Sequence, residues 1–485
     1  MRSRNIQYWN CEWIGSDVYL DFSVRKIVCS PIFIGLIAIL ALVIAFASIL
    51  PIKIQQMGSG AFFVFTIIPW PYWIGIMTLA GIMVFIIRYL EDYRFRVLLV
   101  FSSILLIIGF RMVFPVTFTS IPAYEPDATN YMNVVNAWVT SGVNFGVQGQ
   151  YQHNFPMSFL IAFTIVKLGV PVDTFFRIAP FFIYAFEIVV LYLLVKELIP
   201  EDKRYAAAST FLFSFSSLGY WVTVHYSPDL VGSLFYFVSL YLSVGFAKKG
   251  EWSVKALSPV LLSIFVLILS HHLSTLYLIM TLFGLSFSVW YFKPPQIKGK
   301  ALSLFLLAIC TYSLWFAYGT LVYPSFFNVY VYFSGFSSVT GLSQGAGLLN
   351  NVTFVIYPIF ILALFIYSFL RTMQIQNPWD LTKLRKKFRE TRATESASMP
   401  FVYSVGFVFV SILFLAGFAA PVIQAPRILE ILCVGLYPIA SQTLIKVSRG
   451  NPSRKKMILM LIIVLVVVTT GIYRYDSQIQ RRVLG

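Results

Sequence analysis

The amino-acid sequence predicts an all-α polytopic membrane protein with about 13 transmembrane helices and with juxtamembrane helices in a large first outer loop. Three observations carry this. Hydrophobic residues make up 59% of the 485-residue chain and charged residues only 11%. Mean hydropathy is +0.80. Apolar runs of spanning length recur from residue 31 to residue 474. A soluble domain of this size has too little interior to hide so much apolar surface. The net charge of +17 would suggest nucleic-acid partners in a soluble protein. In a membrane chain it reads instead as basic loops obeying the positive-inside rule, so no nucleic-acid partner is expected. The four cysteines, Cys11, Cys29, Cys310 and Cys433, have no paired spacing, and neither disulfides nor a cysteine metal site follow from them. Residues 1–30 carry charges and no apolar run, which argues against a cleaved signal peptide.

A span needs roughly 20 predominantly apolar residues. That rule places spans near 31–52, 72–90, 96–113, 174–197, 205–224, 230–247, 256–270, 273–292, 300–322, 351–371, 400–419, 427–446 and 457–474. The segment 155–170 is apolar but short, begins at Pro156 and ends at Gly169-Val170-Pro171. If it does not cross, the N-terminus is cytoplasmic and the inner loops with the N-terminal tail hold all but eight of the 36 lysines and arginines: Lys53, Arg111, Lys167, Arg177, Arg427, Arg474, Arg481 and Arg482. If it crossed, every later basic cluster would face outward, against the positive-inside rule. Residues 155–170 are therefore expected to form a half-inserted or interfacial helix on the outer side, and the C-terminus is expected outside.

This divides the chain into a cytoplasmic tail (1–30), an N-terminal pair of spans (31–95) and a catalytic-type core (96–322) containing the outer loop 114–173. A glycine-rich outer loop (323–350, with Ser343 to Gly347) follows, then C-terminal spans (351–485) with a basic cytoplasmic loop at 371–399. In that loop PWDLTKLRKKFRE can form an amphipathic helix with Leu381, Leu384 and Phe388 on one side, the pattern of an interfacial segment drawn to anionic headgroups. Asn351-Val352-Thr353 at an outer span end is a glycosylation sequon, a weak signal.

The stretch 121–156 is polar without being basic. Between Arg111 and Lys167 there is no lysine or arginine, and Glu125 and Asp127 flank Pro126. Asp127 opens a segment in which Tyr131, Val135 and Trp138 recur at helical spacing, with Ser141-Gly142 as a stop. The local pattern serves a helix cap and a catalytic carboxylate equally well. On the expected topology all four histidines, His153, His225, His271 and His272, fall on the outer face with Glu125, Asp127 and Asp229. Imidazole there suits acid–base work, metal ligation or phosphate contact. The spacing matches no standard zinc motif; a divalent metal held by Asp127, Asp229 and His271 stays open, and no other cofactor is expected. Arg427 begins the twelfth span and Arg177 the fourth, where each serves a phosphate or a headgroup. Glu187, mid-span, is expected to be paired or protonated.

The order of these features is a carboxylate opening an amphipathic helix, Gln152-His153-Asn154-Phe155-Pro156, a short apolar helix, Arg177-Ile178-Ala179-Pro180, and then an outer loop with Asp229. Over about residues 121–245 this resembles the membrane-embedded C-type glycosyltransferases, which include bacterial aminoarabinose transferases acting on lipid A and protein O-mannosyltransferases. The resemblance implies a sugar moved from a polyprenyl-phosphate carrier to a lipid, glycan or protein acceptor at the outer face, by inverting displacement. It makes Asp127 the base or positioning carboxylate and Asp229 the second acid, with Glu125 beside them. Arg427, His271, His272, His153, Arg177 and Tyr131 are then the residues for donor phosphate and sugar. Two additional spans at 31–90, the lack of a soluble C-terminal domain and the lack of a Trp-Trp-Asp motif set the chain apart from oligosaccharyltransferases that act on asparagine. A transporter or flippase of lipid-linked or anionic solutes is the other reading; such proteins favour internal repeats and broken helices near the midplane.

Overall fold

The computed structural model describes residues 30–55, 67–120, 128–144, 155–216, 226–249, 252–292, 300–322, 361–367, 381–394, 397–413 and 425–449. Among these residues the protein is all-helical, with no strand; one isolated parallel bridge pairs Ile54 with Phe118. The helices are α1 (Pro31–Ile49), α2 (Trp70–Ile87), α3 (Tyr93–Thr117), α4 (Ala128–Ser141), α5 (Pro156–Lys167), α6 (Val172–Leu198) and α7 (Lys203–Ser216). They continue as α8 (Pro228–Lys249), α9 (Val254–Ser270), α10 (His272–Phe292), α11 (Lys300–Val322), α12 (Leu381–Ala393), α13 (Met399–Leu413) and α14 (Ala425–Arg449).

Among the described residues seven helical segments are long and apolar enough to cross a membrane: Pro31–Ile49, Trp70–Ile87, Tyr93–Arg111, Val172–Leu198, Pro228–Lys248, His272–Phe292 and Lys300–Gly319. The protein is therefore a multi-pass membrane protein by length and composition. The expected spans at 256–270 and 400–419 coincide with shorter apolar helices. The span expected at 205–224 begins as α7, and the one expected at 427–446 lies within α14. Residues 457–474, the loop 323–350 and most of the N-terminal tail lie outside the described residues. The short segment does form its own helix, α5, of 12 residues; at 1.5 Å per residue it is about 18 Å long, too short for a hydrocarbon core of about 30 Å.

Local chemistry sets several of the boundaries. Ser253 caps α9 by accepting the Ala256 N–H at 3.2 Å. α4 stops at Ser141 because Gly142 takes φ +86°, and the turn after α5 uses Gly169 at φ +102°, both left-handed conformations that favour glycine.

α1, α2 and α3 pack as a trio, and α3 joins it to α6 and α7. Contacts then run from α6 to α8, α8 to α10, α10 to α13, α13 to α14, α14 to α7 and α7 back to α6, which closes a ring of six helices. Lipid tails are as apolar as leucine, so helices here gain by close approach and by hydrogen bonds rather than by expulsion from water. Small residues supply the approach. A Cβ added at Gly284 of α10 would stand 2.3 Å from the Gly406 carbonyl oxygen of α13, and one added at Gly406 would stand 2.7 Å from the Gly284 oxygen. Hydroxyls supply the bonds: Tyr236 meets Thr281 at 3.1 Å, Ser404 donates to the Gly435 carbonyl at 2.7 Å and Ser209 to the Tyr437 carbonyl at 3.3 Å.

The last two carbonyls flank Pro438 inside α14, where the missing proline N–H loosens the helix ladder. Pro180 acts likewise in α6. Proline at 180 cannot donate to the Phe176 carbonyl, and that carbonyl accepts the Tyr226 N–H at 3.0 Å. Tyr226 also donates its hydroxyl to the Ser158 carbonyl of α5 at 2.6 Å. One residue thereby ties α5 and α6 to the segment that leads into α8.

α12 forms where the basic amphipathic helix is expected, and Phe388 of its expected apolar side packs on protein, with ring centroids 5.7 Å from Phe292 and 6.2 Å from Phe401.

The glycine crossing is directly testable. Gly406→Ala should destabilise the protein by about 1–3 kcal/mol through overpacking, read as a lower unfolding temperature in detergent. Gly81→Ala meets nothing within 4 Å and should be neutral or slightly stabilising. Equal effects of the two substitutions would refute the close crossing.

Candidate functional site

The site forms where α8 and α10 begin. Ser227 opens α8, accepting the Leu230 N–H on Oγ at 3.3 Å, which places Asp229 in the first turn. A carboxylate there sits at the positive end of the helix dipole. His271 separates α9 from α10 in extended conformation, with φ −162° and ψ 124°. Its Nδ1 lies 2.9 Å from Ser274 Oγ and accepts the Ser274 backbone N–H at 3.3 Å. His271 thus caps α10 with its ring.

That cap assigns the tautomer. A backbone N–H can only donate, so Nδ1 accepts and the ring proton resides on Nε2. Nε2 stands 2.5 Å from Asp229 Oδ1 and donates to it. His271 is 2% exposed and Asp229 32%, so the imidazole is buried behind a carboxylate that still reaches the surface. Gly232 makes this approach feasible. A Cβ at 232 would lie 2.5 Å from the His271 Cβ. His272 is buried beside the pair, its ring centroid 5.0 Å from His271 and 5.1 Å from Phe155.

One turn into α8, Ser233 donates a short hydrogen bond to Glu187 Oε1 of α6. Glu187 is buried, as is Arg111 of α3, whose charge acts on the Glu187 carboxyl. The Arg111 guanidinium also lies 3.5 Å from the centroid of the Tyr184 ring, a cation–π contact in a desolvated setting. The mid-span acid expected to be paired therefore has a hydroxyl donor and a nearby arginine.

Of the other candidates, Arg177 is fully engaged in structure. It bonds Asp173 at 2.6 Å and donates to the carbonyls of Pro115, Phe118 and Thr119 at 2.6, 3.1 and 3.0 Å. It pins the frayed end of α3, where Pro115 interrupts the ladder. Tyr131 faces α5, its ring 5.9 Å from Phe159, and Trp138 packs on Phe159 and Phe163 at 6.0 and 6.4 Å. The aromatic side of α4 thus meets α5. Arg427 lies in the first turn of α14, and its side chain falls outside the described residues, as do Glu125, Asp127, His153 and His225.

Two of the residues weighed as metal holders, Asp229 and His271, bond each other. With a proton on Nε2 and Nδ1 turned to Ser274, His271 presents no free lone pair to a metal in this arrangement. Among the described residues no group of three or more His, Cys, Asp or Glu gathers as a metal site. A pocket at the opposite end of the bundle, lined by Glu91, Arg96, Asp202 and Arg204, is internally neutralised: Arg204 bonds Asp202 and reaches Glu91 at 3.5 Å.

Ser274, Gly232 and Ser233 escaped the reading of the sequence. Ser274 had a local signal, three residues beyond His271 at a helix start, the spacing of a cap. Ser233 lies 46 residues from Glu187, and no local pattern spans that gap. No family model matches the chain, and no curated protein does so.

Two stability outcomes follow from these contacts. Arg177→Ala removes a cation from three carbonyls and should cost about 2 kcal/mol, whereas Asp173→Asn should cost under about 1 kcal/mol because that carboxylate is half exposed. Arg111→Met removes the guanidinium from the face of Tyr184 and should cost about 2 kcal/mol, and Arg111→Met/Glu187→Met should show whether the nearby Glu187 carboxyl adds to that cost. Denaturant unfolding in detergent measures all four variants.

Proposed function

We propose that the protein is a membrane glycosyltransferase that moves a sugar from a polyprenyl-phosphate donor to an acceptor at the outer face. The observation that carries this is Asp229, a surface-reaching carboxylate at a helix start, oriented by the buried His271, on a helix that α5 also contacts. On this reading the chain has 13 spans, its N-terminus cytoplasmic and its C-terminus and active site outside.

The acceptor hydroxyl attacks the anomeric carbon from the face opposite the phosphate. The new C–O bond forms as the bond to the phosphate oxygen breaks, the hydroxyl proton passes to the Asp127 carboxylate, and polyprenyl phosphate leaves. Asp229, held by His271, is the second acid and positions the sugar or acceptor. A carboxylate within hydrogen-bond reach of the attacking hydroxyl acts as general base, worth typically 10²–10⁴-fold. The leaving phosphate needs donors or positive charge, and the first turn of α14 with Arg427 supplies both kinds.

The second reading, a transporter or flippase of a lipid-linked or anionic solute, draws on the buried charges Arg111 and Glu187, since ionisable groups within the membrane often mark a solute path.

The test is transfer of labelled sugar from a polyprenyl-phosphate donor by the purified protein in liposomes. Asp127→Asn should lower turnover by about 10²–10⁴-fold with its unfolding temperature unchanged, and Asp229→Asn should lower turnover by a smaller factor and, by weakening the bond to His271, also lower the unfolding temperature. Wild-type turnover by Asp127→Asn would sink the mechanism. Movement of the donor across the bilayer without product, lost on Arg111→Met, would favour the transporter.

A further inference from the structure

α12 plays no part in the chemistry above. It carries six bases, Lys383, Arg385, Lys386, Lys387, Arg389 and Arg392, against one acid, Glu390. Its fit to the bundle is aromatic: Phe388 lies against Phe292 at the end of α10 and against Phe401 of α13. The Arg392 guanidinium stands 5.0 Å from the centroid of Tyr291. One edge of the helix is therefore spent on protein and is not available to enter the bilayer.

At 3.6 residues per turn, Arg385, Arg389 and Lys386 share one flank, within about 100° of the helix circumference. All three are exposed. The single acid is taken by Lys387 at 3.0 Å, and among the described residues none of the three forms an ion pair. Trp290, one residue before Tyr291, is 66% exposed. An exposed indole at the end of a spanning helix marks the level of the headgroups, so the basic flank stands at the height of lipid phosphates.

We propose that Arg385, Lys386 and Arg389 form a binding surface for the phosphate of an anionic phospholipid in the adjacent leaflet. The occupant is set by charge complementarity and by depth. Because Phe388 is already buried on α10 and α13, the attachment is electrostatic rather than insertional. Guanidinium groups can meet a phosphate through paired N–H donors. The inference is independent of the transferase reading, because it concerns a different element and a different ligand.

The experiment uses the full-length protein in nanodiscs whose lipid is phosphatidylcholine with added phosphatidylglycerol, with lipid retention read by native mass spectrometry. A base near a charged surface favours anionic lipid by about fivefold, so Arg385→Gln/Lys386→Gln/Arg389→Gln should reduce the preference for phosphatidylglycerol by roughly a hundredfold. High salt should erase the wild-type preference. Phe388→Ala keeps the three bases but loosens their placement, and should weaken retention by a smaller factor. Undiminished retention by the triple variant, equal retention of phosphatidylcholine, or equal protection from inorganic phosphate at matched charge would each overturn the proposal. Should the triple variant fail to assemble, the salt series on the unaltered chain decides alone.

Discussion

The first six residues of α8 tie it to two further helices at once. Asp229 reaches His271, Gly232 lets that histidine approach, and Ser233 donates to Glu187. Positions four apart share a helix face, so the carboxylate and the hydroxyl stand one above the other. The backbone of α8 must hold one orientation for both bonds to form. His271 at the start of α10 and Glu187 of α6 are both held through this face of α8, and the charge of Arg111 on α3 acts on Glu187. Turning α8 by a single residue, about 100°, would break all three relations and leave buried polar groups without donors.

Why polar bonds should bear this duty follows from the solvent. In water a helical bundle is driven together by burying apolar surface, but in lipid that drive is absent between helices. Close glycines and satisfied polar groups take its place. The prolines belong to the same logic. Pro180 releases the Phe176 carbonyl to Tyr226, and carbonyls beside Pro438 accept Ser404 and Ser209. At Pro180 the interruption of the ladder becomes a tertiary bond, since an unsatisfied backbone group in hydrocarbon costs several kcal/mol. Arg177 does the same for the end of α3 with one guanidinium and three carbonyls.

The helices were legible because apolar runs and their breaks are local. Gly142 and Gly169 announced the ends that they form, and the segment at 155–170 was legible from its length as a separate short helix. Tyr131, Val135 and Trp138 declared one face of α4, but not what that face meets. Periodicity gives a face, and only the packing of α5 gives its partner. His271 and Asp229 were both singled out by chemistry, yet their bond depends on Gly232, 39 positions before His271, and a glycine in an apolar helix carries no mark of its neighbour. Arg177 had the residue type of a phosphate ligand and the surroundings of a structural pin. Residue type alone does not distinguish these, because both uses need a cation with several donors.

The two acids beside α8 show how one helix serves different ends at different depths. Glu187 is buried, with a serine donor and an arginine within reach, and a carboxylate so placed is compensated where it stands. Asp229 has one oxygen held by a neutral imidazole and keeps access to the surface. A neutral donor orients a carboxylate without cancelling its charge, whereas an arginine would cancel it and remove its value as an acceptor of protons or hydroxyl groups. The capping bond from Ser274 to Nδ1 therefore has a consequence beyond α10. It fixes the imidazole so that Nε2 faces Asp229, whose carboxylate keeps its access to the surface.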